Sequence, residues 1–103
     1  MSALIHRFSV IFPPSYDDRA EHETPLKGYL GDVIVQLDDG ARYPLFFMDP
    51  VRLQQDLEGL VKSGKKCLAE VNLIVLPEVT SAAIRHAVEE LVAEQFFQHM
   101  KPL

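Results

Sequence analysis

Residues 3–12 alternate between two sides of an extended chain. Leu4, His6, Phe8, Val10 and Phe12 fall on one side, and Ile5, Arg7, Ser9 and Ile11 on the other. A two-residue period is that of a β-strand. Pro13-Pro14 closes the stretch, since proline brings no N–H to a ladder. Similar patterning returns over residues 32–37 and 41–47, with Asp39-Gly40 between them. As a two-residue type I′ hairpin turn, Asp39-Gly40 sets Val33 opposite Phe46 and Val35 opposite Pro44. Ile34 then shares the other face with Tyr43, Leu45 and Phe47, an apolar set that predicts an interface with a partner, a second copy or a neighbouring loop. Pro44 marks the return strand as an edge. Residues 67–76 predict a further strand, whose consecutive Leu73, Ile74, Val75 and Leu76 call for cover on both faces.

Two stretches carry the helical period instead. Asp49 is an N-cap, Pro50 suits the first helical position, and Leu53, Leu57, Leu60 and Val61 form a stripe before Gly64 ends the helix. In the second, Thr80 is the N-cap, and Val79 and Ile84 stand at hydrophobic-staple positions. Ile84, Ala87, Val88, Leu91, Val92 and Phe96 make its buried stripe. Residues 13–28 show no apolar period and predict a long acidic loop. The expected fold is one α+β domain over residues 1–103. It has a mainly antiparallel sheet of about four strands, two helices on one face, and the order β-β-β-α-β-α.

Composition narrows the classes. With 103 residues, 48% hydrophobic and 24% charged, the chain has ordinary globular make-up. No apolar run approaches the roughly 20 residues that span a bilayer, and the start reads as a strand rather than a signal peptide. The single Cys67 permits no internal disulfide, which fits a reducing, cytoplasmic setting. A net charge of −5 with only Lys65-Lys66 as an adjacent basic pair argues against gripping nucleic acid. It favours a basic protein partner.

Candidate chemistry is sparse. Residues 59–66 approach the phosphate-loop pattern, but Lys66 stands where a hydroxyl should hold magnesium, and the stretch closes a helix instead of opening one. His86 and Glu90 have metal-compatible i, i+4 spacing without further ligands, and His99 has no evident partner. No metal site or cofactor is expected. The acidic segment gathers Tyr16, Asp17, Asp18, Glu21, His22 and Glu23, a docking surface for a basic partner. The plan is similar in size and charge, though not in residues, to bacterial toxin-neutralising immunity proteins. The expected function is therefore a small non-enzymatic protein-binding module, an immunity-type inhibitor being one form of it. The alternative is a small enzyme or metal-binding protein using His6 or His22 with nearby carboxylates, built across a dimer interface.

Overall fold

The structure is a computed structural model that describes residues 7–103. Its elements run β1 (Phe8–Ile11), α1 (Asp18–Lys27), β2 (Tyr29–Leu37), β3 (Arg42–Met48), α2 (Pro50–Lys62), β4 (Leu73–Val75) and α3 (Ser81–Ala93), with a 3₁₀ turn at Phe96–His99. The four strands form one sheet in the order β1-β2-β3-β4. The α+β class stands, but the sheet is mixed: β1, β2 and β3 are antiparallel neighbours, whereas β4 runs parallel to β3. Helix α2 supplies the crossover that a parallel pair requires. There are three α-helices, not two, so the order among the described residues is β-α-β-β-α-β-α.

The hairpin is one residue out of the expected register. Gly40 N–H donates to the Leu37 carbonyl at 3.0 Å and Leu37 N–H to that of Ala41 at 2.9 Å. Gly40 takes a φ of 90°. The loop is therefore three residues, Asp38-Asp39-Gly40, with a left-handed third position that only glycine adopts cheaply. Asp39 Oδ1 accepts from Ala41 N–H at 2.9 Å and fixes the turn. Val33 thus pairs Leu45, Ile34 pairs Pro44 and Val35 pairs Tyr43. Because side chains alternate with period two, the one-residue change re-sorts the faces. Tyr43, Leu45 and Phe47 join Val33 and Val35 on the core face, with Leu45 2% and Phe47 0% exposed. Only Ile34 of the expected interface set lies on the opposite face.

Pro44 is not on an edge strand, since β3 has neighbours on both sides. Phe46 N–H donates to Asn72 O, so alternate residues of β3, Pro44 included, direct their backbone toward β4. Strand β4 stops short of Pro44, and its missing N–H leaves no bond unmade. Asn72 Nδ2 reaches the Pro44 carbonyl at 2.9 Å and that of Lys101 at 2.7 Å, while Leu103 N–H donates to Arg42 O. The C-terminal residues thus close the part of the β3 edge that β4 leaves open.

The core lies between one sheet face and α3. Val33, Val35, Leu45 and Phe47 meet Val79, Ile84, Val88 and Val92. Thr80 caps α3 by accepting from Ala83 N–H at 3.0 Å. The helix ends at Ala93, and Gln95 turns the chain with a φ of 57°. That turn buries Phe97 and leaves Phe96 40% exposed, reversing the order the helical period gives. Helix α2 begins and ends as expected: Asp49 Oδ1 accepts from Arg52 N–H at 2.7 Å. The bonds Gly64 N–H to Val61 O and Lys65 N–H to Leu60 O form a Schellman motif. Yet α2 buries no side chain fully and adds nothing to the α3 core. Its Arg52 guanidinium stacks 4.3 Å over the Tyr29 ring, and Tyr29 pairs Met48 on the face away from α3. The two helices do not share a face.

Candidate partner-binding face

The segment expected as a structureless loop contains α1. Asp17 Oδ1 accepts from Ala20 N–H at 2.9 Å, and Gly28, at a φ of 79°, terminates the helix with its N–H on Thr24 O. Asp18 and Glu21 lie in the first turn and Lys27 in the last, each with the sign the helix dipole favours. Arg19 Nε meets Glu23 Oε2 at 3.1 Å across one turn. These are charge and capping signals rather than apolar ones, and Pro25 inside the helix obscures them further. Thr24 is the one buried side chain of α1, its hydroxyl donating to Ala20 O at 2.7 Å.

Helix α1 rests against the start of α3. Ser81 Oγ donates to Glu21 Oε2 at 2.9 Å, holding that carboxylate near the first turns of both helices. Phe12 and Tyr16 stack with ring centroids 4.8 Å apart, and the Arg85 guanidinium lies 5.1 Å from the Phe12 centroid. These groups, with Asp17 and Asp18, line a hollow of about 260 Å³. The Tyr16 hydroxyl is shielded from solvent without a hydrogen bond of ordinary geometry. Burial raises its pKa first and the Glu21 charge adds to the rise; the Ser81 hydroxyl and Arg85 pull the other way.

The structure therefore brings Tyr16, Asp17, Asp18, Glu21, His22 and Glu23 together on one short helix and its lead-in. His22 is exposed between Glu21, tied to Ser81, and Glu23, tied to Arg19. The two carboxylates adjoining the imidazole are thus engaged elsewhere, and no group of three potential metal ligands occurs among the described residues. His6 lies outside the described residues. His86 and Glu90 are exposed on α3, and His99 packs edge-on to Phe96 at 5.7 Å.

Sequence reasoning passed over what α3 brings to this face, Ser81 and Arg85. Residues 17–27 hold four acids and two bases; residues 78–94 hold four acids, Glu78, Glu89, Glu90 and Glu94, and one base, Arg85. The rest of the chain holds seven of each sign, so the whole net charge of −5 resides on these two segments. Their count was readable, but their adjacency needed the Glu21–Ser81 contact across sixty positions. Among the described residues no helix is long and apolar enough to cross a membrane. No protein-family model, curated protein or solved structure gives a significant match to the chain.

Proposed function

We propose that this chain is a non-enzymatic protein-binding module whose α1–α3 side docks a basic partner. The observation that supports this reading is the placement of the entire net charge on two adjoining helical segments. A field of one sign concentrated on one side raises encounter rates with an oppositely charged surface and repels like-charged competitors. The Phe12–Tyr16 stack gives that field a partly apolar centre, the aromatic element that binding surfaces favour. An immunity-type inhibitor of a basic enzyme is one form of the proposal, and a cytoplasmic regulator of a basic protein is another.

The test is capture on the immobilised chain from an extract of its source cells, identification of the bound protein, and measurement of its Kd. The partner is expected to be basic. Asp17→Asn, Asp18→Asn, Glu21→Gln and Glu23→Gln combined should raise Kd about tenfold or more. An unchanged Kd, or a partner without a basic surface, overturns the reading.

A further inference from the structure

Beyond a polar row of Ser9, Gln36 and Arg42 at the hairpin end, the face of the sheet turned away from α3 is largely apolar and incompletely covered. It presents Ile11, Ile34, Pro44, Phe46, Leu73 and Val75. Ile11 is 39% and Val75 47% exposed, and the other four are half-buried. Antiparallel sheets that meet water on one face carry polar side chains there, and parallel pairs are ordinarily covered on both. Helix α2 covers the Met48 end, but Leu53, Leu57 and Leu60 of its own stripe stay only half-buried. Two adjoining clefts of about 640 and 580 Å³ share Phe46, Ala69 and Glu70.

Charge bears on what covers this face. A second copy also carries −5, so contact through the α1–α3 side is opposed by repulsion. The open face is balanced. Asp32 and Glu70 line its clefts, as does Lys65, while Arg42 shares the side of Ile34 and Pro44. None of these four makes an ion pair among the described residues. Two acids and two bases without ion-pair partners, set around one apolar patch, suit a twofold contact, in which each copy offers the same surface to the other.

We infer that the chain forms a homodimer through this sheet face, independently of the acidic side. Sedimentation equilibrium from about 5 to about 500 µM should show mass rising from 11.7 kDa toward twice that value. Ile34→Lys should raise the dimer Kd at least tenfold, or about 1.4 kcal/mol. Val75→Lys, at a half-exposed site that leaves the monomer fold intact, should do the same. Lys65→Glu upsets the charge balance and should also weaken the dimer. Neutralising the four α1 acids should not weaken it. A mass of 11.7 kDa throughout, or dimers that survive both Ile34→Lys and Val75→Lys, overturns the inference. Loss of the dimer on neutralising α1 overturns it as well.

Discussion

Gly28 is the residue on which two helices depend. It ends α1 in a left-handed conformation, and its carbonyl accepts from Asp49 N–H at 2.8 Å, where α2 begins. A Cβ there would lie 2.8 Å from both carboxylate oxygens of Asp49 and 2.9 Å from Arg52 Cβ. Left-handed backbone alone costs a non-glycine residue about 1–2 kcal/mol, and the Asp49 cap that the methyl would displace contributes about 1 kcal/mol more. Gly28→Ala should therefore destabilise by about 2–3 kcal/mol in urea melts; a change under about 0.5 kcal/mol contradicts the described junction. Tyr16 makes the opposite case. Its hydroxyl is shielded and lacks a well-formed bond, so Tyr16→Phe should leave stability at pH 7 unchanged or slightly raised. Its folded pKa is raised above the ordinary value, so its contribution is complete below about pH 10 and is lost as pH rises through the folded pKa. Stability of the Phe variant should accordingly fall less steeply above pH 10. Equal alkaline slopes for the two proteins contradict the shift.

At the scale of elements, α2 and α3 look alike in sequence and differ in burial. Ile84 of α3 is fully buried, whereas Leu57 of α2 is only half-buried. Ile84→Ala should cost about 2–5 kcal/mol, and Leu57→Ala clearly less, when both are measured by chemical denaturation at low protein concentration. Equal costs contradict the separation of the two helices onto opposite faces. Caps and terminators were legible in both helices because their signals are local: Asp49, Thr80 and Gly64 act on neighbouring amides. Helix α1 was not legible from periodicity because it buries almost nothing and is organised by charge. The hairpin register was lost on one residue, since Asp39-Gly40 serves a two-residue or a three-residue loop equally well by composition. The parallel placement of β4 depends on where the crossover returns the chain, which no local pattern encodes. The acidic residues of the candidate face were legible one by one; their junction with Ser81 and Arg85 was a product of topology.

The whole molecule is two-sided. The α1 and α3 segments carry the net negative charge between them; the sheet face away from α3 is largely apolar, with α2 beside it. A charged surface steers a partner over distance, and an apolar one buries area on contact. Substitutions on α1 and on the sheet face should therefore affect different equilibria. If the acidic α1 helix recruits a basic partner, as proposed, the association rate with the protein captured on the chain reports it directly. Between about 50 and 500 mM salt, where the screening length shortens severalfold, that rate should fall about tenfold or more. The fall should largely vanish with Asp17→Asn, Asp18→Asn, Glu21→Gln and Glu23→Gln combined. A rate insensitive to salt, or a salt dependence that the four substitutions leave intact, would rule out docking through the α1 acids.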